Sequence, residues 1–271
     1  DLKVVFLLRT GGKQSPERVK AIKETWGKDL SWGPLGQIVP FAKDPECEAK
    51  YGDNHGFGLT CMEANNEVQM LDRKDFTWLV VIDDDVYVNV DNLKRVLSSF
   101  DAKKKKVYGT PGCGFCGQKI GAGFCGGGGY MLSQDSLTSM AAQKENFTKE
   151  FNSEPNQEWS DVRFGCVAMA HGLELSSLPG LYPWRVPSDS EVIYSTEVPL
   201  LTLHYADPDR MRSIHATFFG LSFPQEESVA ASQADSVATS LADYHLQRDL
   251  YIKNEQEARL RQDSRSFIQG F

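Results

Sequence analysis

Three consecutive carboxylates, Asp83, Asp84 and Asp85, are the residues of this 271-residue chain that are best suited to chemistry. They would repel one another unless a cation or hydrogen-bond donors balanced their charge. They follow the apolar run Thr77–Ile82, which is typical of a central strand covered on both faces. The carboxyl ends of such strands line the ligand crevice of open α/β sheets, so the run predicts a site for Mg²⁺ or Mn²⁺ shared with phosphate oxygens. An Asp-rich surface turn is the structural alternative.

One histidine, His204, could complete such a site. It follows the apolar run Leu200–Leu203 at the end of a predicted late strand, Pro199–His204, so it would also lie at a carboxyl end. An imidazole beside oxygen ligands would favour Mn²⁺ over Mg²⁺. The spacing alone favours a histidine that has only a structural role.

A glycine-rich segment, Phe124–Tyr130, would let the backbone approach a ligand closely, because glycine has no Cβ. It has neither the P-loop nor the GxGxxG pattern, and a flexible hairpin explains it as well. A calcium loop at Asp83–Asp85 is disfavoured, because the spacing of an EF-hand is missing.

The elements that would position these residues alternate in the α/β manner. We expect a helix from Pro16 to about Trp26, capped by Ser15 with Pro16 at its first position. Other predicted helices are Leu59–Leu71, Asp91–Ser98 and Asp161–His171, and other predicted strands are Lys3–Leu8, Gln37–Ala42 and Val107–Gly109. The glycine-rich segment is expected to run into a strand ending at Ser133. We predict one catalytic domain over residues 1–224 and a polar, helical extension over residues 225–271.

Composition excludes several classes of protein. The net charge of −8 and the pI near 5.2 argue against a nucleic-acid partner. The apolar run Lys3–Leu8 is far shorter than the ~20 residues that cross a bilayer. The first residue is Asp1 and no signal pattern follows it, so we expect any membrane anchor to lie outside this sequence.

Cysteine usage bears on the compartment. An even number of six cysteines is compatible with disulfides in an oxidising lumen, and six free thiols are the alternative. Cys113-x-x-Cys116 is interpreted as part of a glycine-rich loop, and it lacks a second ligand pair for zinc. Asn146 begins the single glycosylation sequon, Asn-Phe-Thr.

Several of these motifs occur, in the same order, in a known family. From about Lys3 to Phe219 the chain resembles the fringe-like β-1,3-glycosyltransferases, relatives of core-1 galactosyltransferase. The matching segments are an early helix ending in Glu24-Thr25-Trp26, the pair Cys47 and Cys61, the string Asp83–Val90, the glycine-rich Gly126–Ser133, the dyad Ser160-Asp161, and the stretch His204–His215.

The resemblance implies a GT-A-type, Rossmann-like single domain with a mostly parallel central sheet. It also implies a UDP-sugar donor and Mn²⁺, with Mg²⁺ as the alternative ion. It makes Asp85 and His204 the metal ligands and Asp161 the general base. The residues predicted to bind the donor are Thr10, Arg18, Asp83, Asp84, Gly127 and Gly128.

This chain departs from the family pattern at two places. Ser160 replaces the first acid of the catalytic dyad, so the assignment of the base depends on Asp161 alone. The family's second cysteine pair is replaced by Met131 and Val162. We expect Cys47 to pair with Cys61, and Cys125 with Cys166 as a substitute for the missing bridge.

The resulting hypothesis is an inverting transferase that moves a hexose or N-acetylhexosamine from a UDP-sugar to a sugar hydroxyl, forming a β-1,3 linkage. The acceptor would be a glycan or a glycoprotein. The expected location is the Golgi lumen, as a type II membrane protein, or outside the cell. The alternative is a catalytically inactive sugar- or nucleotide-binding module of the same fold. The choice of UDP-sugar and the oligomeric state stay open.

Overall fold

The structure is a computed structural model that describes residues 2–11, 14–51, 55–116, 119–141, 144–153, 159–186, 188–195 and 198–219. The predicted extension at residues 225–271 lies outside these ranges. The strands of the described part are β1 (Val4–Arg9), β2 (Ile38–Pro40), β3 (Trp78–Asp83), β4 (Tyr87–Val88), β5 (Lys106–Gly109), β6 (Pro111–Cys116), β7 (Lys119–Phe124), β8 (Tyr130–Ser133), β9 (Glu174–Ser177), β10 (Leu181–Tyr182) and β11 (Thr202–Leu203). The helices there are α1 (Ser15–Glu24), α2 (Pro45–Tyr51), α3 (His55–Met70), α4 (Val90–Ser98), α5 (Gln134–Ala141), α6 (Lys144–Ser153), α7 (Ser160–Ala170), α8 (Asp189–Ile193) and α9 (Pro208–Phe219).

Six of these strands form the central sheet, in the order β2-β1-β3-β8-β5-β9. The pairs β1–β2, β1–β3 and β5–β9 are parallel, whereas β8 runs antiparallel to both of its neighbours. The predicted α/β class with a mostly parallel sheet is therefore confirmed.

Strand β3 explains why its sequence is a continuous apolar run. Trp78, Val80 and Ile82 pack into a hydrophobic core on one face of the sheet. Leu79 and Val81 pack into a second core on the opposite face. Because successive side chains of a strand point to opposite faces, a strand buried on both sides has no polar position.

Two local predictions were wrong. Helix α1 begins at Ser15 itself, and Gln14 stands at its N-cap without a side-chain hydrogen bond. The Ser15 hydroxyl instead donates to Asp84 and accepts a bond from the Gly11 N–H, so tertiary contacts use the group that was expected to cap the helix. The late strand is shorter than predicted, because only Thr202–Leu203 pairs, in a separate sheet of order β10-β11-β4.

All six cysteines form disulfides, which excludes the alternative of free thiols. The expected Cys47–Cys61 bridge is confirmed. The expected Cys125–Cys166 bridge is wrong. Its two members pair separately, Cys125 with Cys113 and Cys166 with Cys116.

The reason for this pairing is the hairpin formed by β6 and β7. Cys113 and Cys116 lie on strand β6 instead of in a loop, and the hairpin packs against α7, which carries Cys166. Three disulfides are typical of proteins from an oxidising compartment. Within the described ranges, no helix combines the length and the apolar character that a membrane crossing requires.

Candidate metal and donor site

The acidic run lies at the carboxyl end of strand β3, as predicted. Asp83 is the last residue of that strand, and Asp84 and Asp85 follow it in a turn. His204 comes directly after β11. One ligand atom from each of Asp83, Asp85 and His204 lies within 4.8 Å of the others. Residues that are about 120 positions apart in the chain thus form one group of two carboxylates and an imidazole. We call Asp83, Asp85 and His204 the candidate metal group, or metal group for short.

The His204 ring is oriented by a backbone carbonyl. Its Nδ1 lies 2.8 Å from the oxygen of Pro183, which can only accept, so Nδ1–H donates and Nε2 is left to face Asp85. Nε2 lies 3.4 Å from Asp85 Oδ1. Metal-binding histidines in proteins use this arrangement, in which the second ring nitrogen donates to a carbonyl or carboxylate.

The two carboxylates of the group are tuned in opposite directions. Burial raises the pKa of Asp83 to about 6, and the charge of Arg9 opposes this effect. Burial also disfavours the charged form of Asp85, but the hydrogen bond from His204 and the charges of His204 and Arg18 together lower its pKa below the ordinary value. Burial lowers the pKa of His204, but the Asp85 carboxylate outweighs it and the net shift is upward. The group therefore attracts positive charge, either a proton or a cation.

The middle carboxylate, Asp84, has a different role from its neighbours. It is buried, and it accepts hydrogen bonds from the Ser15 hydroxyl and from Arg18 Nη1, the latter at 3.0 Å. Both partners belong to helix α1. Asp84 therefore fixes the start of this helix beside the metal group, although its side chain also lines the cleft described below.

Arg9 is a part of the site that the sequence analysis missed. It ends strand β1, is almost completely buried, and pairs in register with Asp83. Its guanidinium donates to Glu63 at 3.0 Å, to Ser160 Oγ at 2.9 Å and to Asp83 Oδ2 at 3.1 Å. The available signal was an arginine at the end of an apolar strand, because a charge in that position is buried only when it is paired.

A second buried layer lies behind Arg9. The Tyr130 hydroxyl lies 2.6 Å from Glu63 Oε1 and 2.5 Å from Glu67 Oε1. Both glutamates are on helix α3, four residues apart, and both are fully buried. The spacing placed them on one face of a helix, but only the tertiary structure shows that this face meets Arg9 and Tyr130.

The predicted base, Asp161, lies in the first turn of helix α7. Its Oδ2 accepts a hydrogen bond from the Gly126 N–H. Burial raises the pKa of Asp161, although Arg9 and the Gly126 N–H favour its charged form. Ser160, at the position of the family's first acid, accepts a hydrogen bond from Arg9.

The glycine-rich segment passes between Asp161 and His204. A Cβ on Gly126 would lie 2.2 Å from the Cβ of Asp161, and a Cβ on Gly127 would lie 2.1 Å from His204 Nδ1 and 2.7 Å from the Pro183 oxygen. All three distances are under 3.0 Å, which is closer than a Cβ comes to non-bonded atoms in real proteins. Residues Gly126–Gly128 form a 3-10 turn that leads into β8, which confirms the predicted loop and strand. The glycines are thus required where two functional side chains pack directly on the backbone.

A cleft of about 340 Å³ opens beside the metal group. Thr10 and Arg18 line it, together with Asp83–Asp85 and His204. Its apolar lining is Phe41, Leu59 and Met62, which the sequence analysis did not identify. Gly127 and Gly128 are absent from the lining, and among the described residues they instead pack behind His204 and against Leu181 and Pro183.

Fold and site together define a mixed α/β protein with a candidate divalent-metal group at the carboxyl edge of its parallel strands. The chain belongs to the Fringe-like family, whose model matches residues 45–181, half of the chain. This match includes the acidic run, the glycine-rich turn and Asp161. The family and the GT-A-type fold class predicted from the sequence are confirmed.

Three solved structures are similar to the chain at low identity. A glycosyltransferase involved in glycosylation of the major capsid of PBCV-1 has a TM-score of 0.49 and 12% identity, covering 78% of this chain and 98% of that one. A galactosyltransferase in complex with donor and acceptor sugar analogues has a TM-score of 0.43 and 10% identity, covering 82% and 98%. A glycosyltransferase of Streptococcus pneumoniae TIGR4 has a TM-score of 0.41 and 12% identity, covering 95% and 64%.

Proposed function

We propose that this protein is an inverting, metal-dependent glycosyltransferase that moves a hexose or N-acetylhexosamine from a UDP-sugar to a sugar hydroxyl and forms a β-1,3 linkage. The observation that carries this proposal is the convergence of Asp83, Asp85 and His204 within 4.8 Å at the edge of the cleft. Membership of the Fringe-like family supports glycosyl transfer as the activity.

The side chains of the metal group suit a divalent cation. Two carboxylates and one imidazole, with the second ring nitrogen already committed to Pro183, fit Mn²⁺ and also accept Mg²⁺. Asp85 and His204 would hold the ion together with Asp83. When bound, the ion supplies positive charge next to the diphosphate that leaves the donor.

The remaining cleft residues suit a nucleoside. Phe41, Leu59 and Met62 offer an apolar wall for the faces of the uracil ring, and Thr10 supplies a hydroxyl for its polar edge. Arg18 lines the same cleft, and its guanidinium contacts Asp84 at 3.0 Å and Asp85 at 3.4 Å. It can therefore bind the donor while it holds these carboxylates in place.

Asp161 is the proposed general base. The acceptor hydroxyl transfers its proton to the Asp161 carboxylate while its oxygen forms a bond to the anomeric carbon of the donor. The bond from that carbon to the diphosphate breaks, and its electron pair leaves with the diphosphate. Attack from the opposite side inverts the configuration. A carboxylate whose pKa is raised by burial accepts a proton better than a free one.

The test is Mn²⁺-dependent release of UDP from UDP-GlcNAc, UDP-Gal and UDP-Glc, with saccharide acceptors added. We expect Asp85→Asn to lose both Mn²⁺ binding and turnover. Asp161→Asn should retain Mn²⁺ and UDP binding and lose turnover about 10²- to 10⁴-fold. The exposed Asp135 of helix α5 provides the matched control, because Asp135→Asn should behave as the wild type. Full activity of Asp161→Asn would refute the assignment of the base.

One observation favours a second candidate, a sugar- or nucleotide-binding module without catalysis. The position of the family's first acid holds Ser160, whose hydroxyl is engaged by Arg9. UDP binding by calorimetry without UDP release from any donor, with or without an acceptor, would identify the module.

The location and the acceptor are also part of the proposal. Three disulfides support a lumenal or secreted protein, with the Golgi lumen as the proposed compartment and a glycan or glycoprotein as the acceptor. Asn146 of the sequon is exposed on helix α6, where a glycan can be attached. Its occupancy can be measured by mass spectrometry of the secreted chain.

A further inference from the structure

Tyr205, the residue after the proposed ligand His204, has an unusual backbone. Its φ is +57°, the single positive φ outside glycine in the described part of the chain. This left-handed conformation is unfavourable for a residue with a Cβ. It persists because hydrogen bonds hold both polar groups of the peptide that follows it. The Ala206 N–H donates to the Asp85 oxygen at 2.8 Å, and Arg210 Nη1 donates to the Tyr205 oxygen at 2.9 Å.

This conformation directs the Tyr205 ring onto the His204 imidazole. The two rings are stacked with their centroids 3.9 Å apart. Tyr205 nevertheless remains 39% exposed, so the stacking on His204 does not cover it. A strained, exposed aromatic residue beside a functional group indicates a binding role.

Arg185 lies over the same ring. Its guanidinium carbon is 4.9 Å from the ring centroid, which is within the range of a cation–π interaction. The side chain is exposed, and among the described residues no carboxylate lies within ion-pair distance of it. In a chain with a net charge of −8, an arginine held by a ring instead of an acid keeps its N–H donors available for a ligand.

The segment that carries Arg185 is fixed to the site. Pro183 accepts the hydrogen bond from His204 Nδ1, and Trp184 packs against the cluster of buried cysteines that includes Cys125 and Cys166. Arg185 therefore leaves a backbone that is held at the two preceding residues, which limits the loss of conformational freedom on binding.

Tyr205 and Arg185 lie outside the proposed donor cleft. His204 lines that cleft, whereas neither Tyr205 nor Arg185 does. The proposed base is also near His204, because Asp161 and His204 pack on the consecutive residues Gly126 and Gly127. A ligand on Tyr205 would thus be close to both the metal group and the base without occupying the nucleotide position.

We propose that Tyr205 and Arg185 form the acceptor subsite and bind a saccharide. This inference rests on the proposed function, because an acceptor exists only for a transferase. The C–H face of a sugar ring packs on the exposed part of the aromatic ring. The guanidinium donates hydrogen bonds to sugar hydroxyls or, in an acidic sugar, to a carboxylate.

Saturation-transfer NMR without donor or metal tests this subsite directly. The probes are the methyl β-glycosides of galactose, N-acetylglucosamine and glucuronic acid. We expect the wild-type protein to give a saturation-transfer signal with at least one of these glycosides. This signal should fall at least about fivefold in Arg185→Ala and in Tyr205→Asn. Asparagine is chosen because it tolerates positive φ, so the variant removes the ring without adding strain. Arg95→Ala, which removes an exposed arginine of helix α4, should bind as the wild type.

The two neutral glycosides and the glucuronide distinguish recognition of hydroxyls from recognition of a carboxylate. The proposal is overturned if the wild type binds none of the three probes, or if both variants bind as well as the wild type. It is also overturned if Tyr205→Asn weakens Mn²⁺ affinity and leaves glycoside binding unchanged, because the ring would then only position His204. Absence of UDP release by the wild type would refute the transferase but not the sugar-binding result, which needs neither donor nor metal.

Discussion

At the scale of single residues, the contacts of the Tyr130 hydroxyl with Glu63 and Glu67 indicate which of the two carboxyl groups is protonated. The tyrosine hydroxyl is close to both carboxylates, at 2.6 and 2.5 Å, but it carries only one proton. The second contact needs another proton. Burial, followed by the charge of Glu63, raises the pKa of Glu67 well above its ordinary value. We infer that Glu67 is the protonated partner and that Glu63 carries the charge that balances Arg9.

This assignment predicts how stability varies with pH. A carboxyl group with a higher pKa in the folded chain stabilises it fully below the unfolded pKa of about 4.3, and this contribution is lost as the pH rises through the folded value. Glu67→Gln keeps a neutral donor next to the Tyr130 hydroxyl and removes the titration. Urea unfolding should show the variant more stable than the wild type at pH 8, with the difference vanishing near pH 4. Lower stability of the variant at pH 8 would show that Glu67 is ionised.

Gly127 allows a second test at the scale of residues. Gly127→Ala places a Cβ 2.1 Å from His204 Nδ1 and must displace the ring from Pro183. We expect Mn²⁺ affinity, measured by calorimetry, to fall about 10- to 100-fold, as for other losses of support to a metal ligand. Gly58→Ala is the matched control. Gly58 lies on helix α3, and the nearest neighbour of its added Cβ would be the Tyr51 Cβ of helix α2 at 4.0 Å, so metal affinity should not change and stability should rise by about 0.5–1 kcal/mol. Equal Mn²⁺ affinity of both variants would contradict the role of Gly127.

At the scale of elements, the hairpin of β6 and β7 is attached to helix α7, which carries the proposed base Asp161. The Cys116–Cys166 disulfide and the packing of Val162 connect the hairpin to helix α7. The Cys113–Cys125 disulfide joins the first strand of the hairpin to the residue that follows the second. Cys125 directly precedes Gly126, whose N–H binds Asp161. The disulfide at Cys125 therefore restrains the backbone N–H that holds the Asp161 carboxylate.

The disulfides differ in the length of chain that they close. Cys116–Cys166 spans 50 residues and Cys47–Cys61 spans 14. In the chain-entropy description, replacing the longer bridge by two alanines should lower the free energy of unfolding by about 1 kcal/mol more than the same change to the shorter one. Urea unfolding of both double-alanine variants measures this difference. An equal or larger loss for Cys47 and Cys61 would show that entropy of the unfolded chain does not govern the effect.

At the scale of the whole molecule, the site is assembled from segments that are about 120 residues apart in the chain. Strand β3 brings Asp83 to one edge of the central sheet, and the small sheet of β10, β11 and β4 brings His204 to it. The two sheets share a hydrophobic core, which contains Ile82 and Leu203. A ligand that bridges them must therefore stabilise the folded chain as a unit.

The coupling between Mn²⁺ binding and folding gives the size of this stabilisation of the folded chain. With Mn²⁺ at 100 times its dissociation constant, the folded state gains about 2.7 kcal/mol, which should raise Tm by about 5–10 °C. Thermal unfolding with and without Mn²⁺ measures the shift. Asp85→Asn and His204→Gln should abolish it, and Asp135→Asn should retain it. A shift of full size in Asp85→Asn would place the ion elsewhere.

The sequence by itself was sufficient to predict the α/β class, the buried strand before the acidic run, and the grouping of Asp85 with His204 through the family pattern. Side-chain periodicity and burial along a strand are local properties, so they are readable without coordinates. The Cys47–Cys61 pair was also within reach, because the family shares it.

Only the tertiary structure decided the partners of buried and strained groups. Nothing in the spacing of Cys113, Cys116, Cys125 and Cys166 selects one pairing, since all lie near the same hairpin and helix. The contacts of Arg9 join segments more than 50 residues apart, and the left-handed backbone of Tyr205 is imposed by distant hydrogen bonds. Such choices depend on which surfaces meet in space, and the local sequence does not encode that.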